Sequence, residues 1–351
     1  MLREIWPILA MSRMFGCYPH SILTSPIRTS KAARVYSWAL GCLYTSNFLY
    51  KLCIWHNYFG SRWSDVVYSA LVQLGEGSKI LCIIFGAIMP TLLHKSFESA
   101  YERAEVFDAI TNTKNHTKVR PFWQFIMILV NVARIPVYKE LYAYYTITTY
   151  TLTVFSINVA FEVLYANELL KFWFLLSAFW RRFHRLNQIT RADARNDKYV
   201  RKLSVDDIQN FYTILADGIA HFNKYYNYQL FFWVSYLTMD TMSFILATYT
   251  AKQPRAGLYF DVCLLSGQLS MITYICHLTC AQANKLTHVY FSPSCPVFLR
   301  TNVMNNVKFG LLLHSRRINI VALRTFQIDF PLLVTIAATM TTYMVIFIQP
   351  S

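Results

Sequence analysis

Charge is scarce in this sequence, and acid is scarcer than base. Only 15% of the 351 residues are charged, and 18 acids face 33 lysines and arginines. With 55% apolar and 17% aromatic residues, the chain is too greasy for a soluble protein of this length. Glycine is rare, ten in all, and no Gly-rich phosphate loop, HExxH pair or nucleophile elbow occurs, so neither an enzyme nor a cofactor is expected. The eight cysteines are scattered, several inside apolar runs (Cys42, Cys53, Cys82, Cys263, Cys276), and build no disulfide framework. Cys276, His277 and Cys280 have no second ligand pair after them, so they read as core residues and no metal is expected. The first 30 residues hold no long apolar core behind a basic start, which argues against a cleaved signal peptide.

What is present is apolar sequence in long runs. The clearest lies at the carboxyl end, Ile328 to Ser351, where LLVTIAATMTTYMVIFI carries no charge. Asp329 is placed to cap a helix there, with Pro331 in its first turn. Pro331 to Gln349 is 19 residues, about 28 Å of helix, enough to cross a hydrocarbon core of about 30 Å. One stripe of that helix is small or hydroxylated (Thr335, Ala338, Thr339, Thr342, Val345, Ile346) and ends at Gln349. Leu332, Leu333, Ile336, Met340, Met344 and Phe347 lie mostly elsewhere. The small stripe either lets a neighbouring helix approach closely or faces water.

The rest of the chain reads as a basic leader, Met1 to Arg34, followed by further spans. Expected spans are Val35–Trp55, Val66–Leu93 and Pro121–Leu141, with a partly helical polar connection, His94 to Arg120, before the third. No Gly or Pro occurs between Val137 and Asp217. A fourth helix from Thr146 to Arg182 is therefore expected to run about 55 Å, nearly twice the hydrocarbon thickness. Ser204-Val205-Asp206-Asp207 has the form of a capping box, opening a fifth helix that reaches Tyr249 and enters lipid only from Leu230. A sixth span covers Leu258–Ala281, and a helical stretch from Val297 to Thr325 precedes the last helix. Such overlong helices either pack into a layer beyond the membrane or lie on its surface. Phe172, Trp173, Phe179, Trp180, Phe211, Tyr212, Phe222 and Tyr226 need burial, which favours the packed layer.

The net charge of +15 would suit nucleic acid, but its placement argues for a lipid bilayer instead. Counted by loop, 25 of the 33 basic residues fall on one side and four on the other. Basic residues stay cytoplasmic, so the amino terminus is expected inside and, after seven crossings, the carboxyl terminus outside. Asn115-His116-Thr117, the one N-x-S/T match, then lies in the cytosol, and a glycan there would invert the topology.

Charges within spans mark candidate functional positions, because each costs about 2.5–3.5 kcal/mol at a helix centre. Glu76 and Lys79, three apart, are spaced to neutralise each other. Arg134 and Asp240, with Tyr68, Gln73, Tyr150 and Gln268, fall at similar depth in the outer half. They either line a small-molecule pocket or satisfy one another in a packed bundle.

At the carboxyl end, Thr342-Tyr343, five apolar residues (Met344 to Ile348) and Gln349 reproduce the TYhhhhhQ signature of insect gustatory receptors. The stretch Leu311 to Phe330, with His314, Arg316-Arg317 and Ile328-Asp329, resembles the same family's approach to its last helix. Pro350 departs from the Phe the family usually places after the Gln. The resemblance implies an all-α membrane protein of seven transmembrane helices, its intracellular extensions of helices 4 to 7 forming an anchor layer. It implies a tetrameric, ligand-gated cation channel in the plasma membrane of chemosensory neurons, opened by a small-molecule tastant and built from gustatory receptor subunits. Gln349, Ile346, Val345, Thr342 and Tyr343 would then line the pore and gate. The chain divides accordingly into a leader (1–34), spans one to six (35–281), an intracellular segment (282–327) and the last helix (328–351). Two other classes compete. A G-protein-coupled receptor ends in the cytosol after seven spans. A secondary transporter repeats its halves with helices broken at matching points, and Gly75/Gly77 has no counterpart here.

Overall fold

The computed structural model describes residues 6–18, 20, 30–55, 63–111, 152–194, 204–250, 256–292 and 303–348. The expected third span, Asn115, Arg134, Tyr150, Gln349 and Pro350 lie outside these residues, as do the side chains of Tyr68 and Glu76. The described elements are almost all helical: α1 (Trp6–Met14), α2 (Lys31–Trp55), α3 (Trp63–Leu92), α4 (His94–Ile110), α5 (Leu152–Ala194), α6 (Val205–Thr250), α7 (Ala256–Tyr290), α8 (Val303–Ser315) and α9 (Phe330–Ile348). A two-stranded hairpin, β1 (Val321–Ala322) and β2 (Phe326–Gln327), sits between α8 and α9.

The overlong helices form. α5 has 43 residues and α6 has 46, about 65 and 69 Å at 1.5 Å per residue. α6 starts where its capping box lies. The Ser204 N–H donates to Asp207 Oδ2 (3.0 Å), and the Asp207 N–H donates to Ser204 Oγ (3.1 Å). α6 is the central element, packed on α3, α4 and α7, while α5 packs on α7 and α1. Gln73–Leu92 in α3 and Tyr259–Tyr290 in α7 are long and apolar enough to cross a membrane, and α9 holds a shorter apolar stretch, Phe330–Ile346.

Where α4, α5 and α6 run on together, their aromatic residues make one core. Phe172, Phe179, Phe211, Tyr212, Phe222 and Tyr226 are buried, Trp173 is half-buried against them, and Trp180 is half-buried and stacks on His184 at 5.5 Å. Ion pairs bind the outside of this core. Arg182 of α5 grips both Asp108 oxygens of α4, and Asp217 of α6 takes Arg103 of α4 (2.8 Å) and Arg316 (3.2 Å).

The expected helix from Val297 to Thr325 is corrected. The structure ends α8 at Ser315 and turns the chain into the hairpin, with Leu323 and Arg324 at φ of 47° and 58°. Neither residue favours that left-handed region, so surrounding contacts must hold it. Across the turn the Thr325 N–H donates to Ala322 O (2.9 Å), and Asn284 of α7 fixes the approach to it: its Nδ2 donates to the Ile318 carbonyl (2.9 Å) and its Oδ1 accepts the Ile318 N–H (3.0 Å). Asn223 Oδ1 accepts the Val321 N–H (3.3 Å), and the Ile328 N–H closes the hairpin on Ile320 O (2.9 Å).

Candidate functional site

The hairpin aims α9. Ile328 is fully buried at its base, and Asp329 Oδ1 accepts the Leu332 N–H (3.2 Å), capping the helix where Pro331 lacks a donor. The helix then shows two unlike faces. Leu332, Leu333 and Ile336 pack on the main core, and Met340 and Met344 pack with Met242 and Leu246 of α6. Thr335, Ala338, Thr339, Thr342, Val345 and Ile346 are exposed. Their threonine hydroxyls donate to carbonyls four residues back, Thr335 to Pro331 (2.9 Å), Thr339 to Thr335 (2.8 Å) and Thr342 to Ala338 (3.0 Å). The exposed stripe therefore presents hydroxyl oxygens and methyls, not free hydrogens. Tyr343 is 50% exposed at its margin. A crevice of about 170 Å³ separates α9 from α6 beside it, floored by Thr238, Met239 and Met242.

Of the other candidate residues, Asp240 on α6 and Gln268 on α7 are buried and Gln73 on α3 is half-buried. α3 packs on α6 at Gly75, where an added Cβ would stand 3.4 Å from Asp240 Oδ1. So Asp240 lies beside the turn of α3 that carries Gln73. Tyr68 sits on α3 by its backbone alone.

The expected Glu76–Lys79 pair involves a side chain outside the described residues, that of Glu76, and the structure gives Lys79 a second acid. Lys79 is ion-paired to Glu162 on α5, and its ammonium lies 5.5 Å from the Tyr236 ring of α6. Glu162 was not singled out in the sequence, nor were Glu168 and Asp261, both buried to 2% or less. Glu168 lies three residues before Lys171, spacing that marks an ion pair once the helix is granted. Cys276 and Cys280 are core thiols, and the His277 ring packs on Phe330 at 4.4 Å, at the foot of α9.

No known protein family matches the sequence, and no curated protein does. The fold is nevertheless similar to that of a solved insect olfactory receptor. The structure of the olfactory receptor OR5 from Machilis hrabei superposes with a TM-score of 0.67 at 12% identity, covering 99% of this chain and 98% of that one. The same receptor in complex with eugenol gives 0.66 at 13% identity, with the same coverage. Similarity over nearly the whole of both chains assigns the helical architecture; at this identity it speaks for the fold alone.

Proposed function

We propose that this chain is a subunit of a ligand-gated cation channel of the insect gustatory receptor type, four copies surrounding a pore lined by α9. The observation that carries the reading is the division of α9. One face is anchored to its own bundle, and the other, with Thr335, Ala338, Thr339, Thr342, Val345 and Ile346, is exposed although it belongs to a capped helix. An uncovered stripe of small and hydroxylated residues suits a wall shared with other copies and wetted on one side. Exposed Val303, Val307 and Leu311 on α8 suit contact between subunits next to it.

The Thr342–Gln349 signature favours a taste receptor over an odorant receptor. The ring of Gln349 amides offers oxygen ligands to permeating cations, and Ile346 and Val345 narrow the pore behind it. The basic residues, gathered in the leader and in the loops beside the long helices, favour an inside amino terminus, a plasma-membrane location and α9 ending outside. The ligand is a small molecule, in keeping with the receptor of the same fold solved with eugenol. Its pocket is read as the outer half, with Tyr68, Gln73, Arg134, Tyr150, Asp240 and Gln268. Current recorded from cells expressing this chain alone, against a panel of plant compounds, tests the reading. Ligand-evoked cation current reduced or altered in selectivity by Gln349→Ala supports it, and a strictly monomeric purified protein sinks it.

A further inference from the structure

The described part of the leader, residues 6–18 and 20, packs into the bundle. Leu9, Ser12, Cys17, Tyr18 and His20 are all completely buried, among α2, α3, α4, α5 and α6. Polar side chains of the bundle hold it by its backbone. Asn167 Nδ2 donates to Ile8 O (3.1 Å) and Ser12 Oγ (2.8 Å), and Lys171 Nζ donates to Cys17 O (3.2 Å). The hydroxyls of Tyr36 and Tyr44 on α2 donate to Met14 O (2.5 Å) and Phe15 O (3.1 Å). Ser12 Oγ donates to Glu168 Oε1 (2.7 Å), and Glu168 pairs with Lys171 (2.5 Å).

The same contact strands other polar atoms. Tyr18 Oη, both His20 nitrogens, Asn167 Oδ1, Tyr225 Oη and Tyr226 Oη are buried with no hydrogen-bond partner among the described residues. All but Asn167 belong to one aromatic cluster, Tyr18 on His20 (5.1 Å), His20 on Phe97 (5.0 Å), Phe97 on Tyr225 (5.0 Å) and Tyr225 on Tyr226 (4.9 Å). Water would satisfy these atoms if the leader left, so a handful of hydrogen bonds favours docking while stranded groups oppose it. Docking is thus a balance of opposing contributions, with the buried apolar surface of Leu9, Cys17 and Tyr18 on the side of the hydrogen bonds.

Its position gives that balance a use. Cys17 Sγ lies against Gly86 of α3, the helix of Gln73; an added Cβ there would stand 3.6 Å from the sulfur. Tyr225 and Tyr226 lie on α6, which carries Asp240 and touches α9 through Met242 and Leu246. We propose that the leader is an autoinhibitory latch: docked, it holds α3, α5 and α6 in the resting arrangement, and its release frees α6 and hence α9 to open. The proposal rests on the channel reading for its output, though not for the docking itself.

Alkylation of Cys17 by N-ethylmaleimide, followed by mass spectrometry on the full chain in nanodiscs, reads docking. Cys82, 1% exposed on α3, is the internal control for general unfolding. Ser12→Ala with Tyr36→Phe should label Cys17 at least tenfold faster, leave Cys82 unchanged and raise spontaneous current. His20→Phe removes two stranded nitrogens and should slow Cys17 labelling and lower that current. Cys17 tracking Cys82 in every variant would overturn the latch, as would unchanged current in conducting channels whose Cys17 has become reactive. A wild-type chain carrying no current would overturn the channel reading and the coupling together.

Discussion

Lys79 of α3 and Glu162 of α5 form an ion pair with both side chains more than nine-tenths buried. Breaking a buried pair leaves an uncompensated charge and costs about 3–5 kcal/mol, whereas replacing both partners by apolar residues is often neutral. Lys79→Met or Glu162→Gln should each lower the melting temperature of the purified protein sharply. The double change Lys79→Met with Glu162→Leu should recover most of the loss. A double variant as unstable as the sum of the singles would show no coupling between the two residues and overturn this account of the pair.

The leader should respond to acid through His20. Burial, then Lys171 and His94, lowers its pKa to about 3, with Glu98 at 3.7 Å and the Tyr18 ring also facing it. The sign follows from that depression. Below the unfolded value of about 6.5, the released imidazole takes up a proton that the docked one refuses, so docking weakens as pH falls. Between pH 7.5 and 5.5 the released form should gain about tenfold. Cys17 alkylation, corrected for the thiol's own reactivity with the Cys82 control, measures this, and His20→Phe should flatten the response.

Gly75 tests the approach of α3 to Asp240. A Cβ there meets Asp240 Oδ1 at 3.4 Å, an ordinary contact, so Gly75→Ala should be tolerated and gain a little helix stability, under about 1 kcal/mol. Gly75→Leu must push Asp240 aside, and overpacking of this kind costs about 1–3 kcal/mol. Ligand dose–response curves should shift for leucine but not for alanine.

Asp329 should matter for entry into α9. Asp329→Ala removes the acceptor for the Leu332 N–H and should cost about 1 kcal/mol, while Asp329→Asn retains it. Thermal unfolding of the two variants compares them directly.

The two faces of α9 should separate stability from conduction. Met344→Ser opens the packing against Met242 and Leu246 and should lower stability by about 2 kcal/mol or more. Ile346→Ser, at a position 55% exposed in the single chain, should leave its unfolding free energy within about 0.5 kcal/mol of wild type. Conductance or resting current should change with Ile346→Ser.

Local chemistry was legible wherever neighbours along the chain make the contact. The Ser204–Asp207 capping box, the Asp329 cap and the absence of Gly or Pro through α5 each set a helix by interactions within a few residues. The two-faced pattern of α9 was equally readable, since helical periodicity places Met340 and Met344 apart from Thr335, Thr339 and Thr342. Pairings across the bundle were not. Lys79 has an acid three residues away in sequence, and only the packing of α3 on α5 shows that Glu162 meets it.

The sequence by itself determined a greasy helical bundle with overlong α5 and α6, because periodicity, caps and missing helix breakers act within one segment. Tertiary structure alone decided the hairpin before α9, where Asn284 and Asn223 bind the backbone of Ile318 and Val321 ahead of a turn in which Leu323 and Arg324 take a backbone state that their side chains do not favour. It also drew the leader into the core, since Ser12, Asn167, Glu168 and Lys171 meet only when α1 is laid across α5. A contact between residues 155 positions apart leaves no trace in the spacing of either segment.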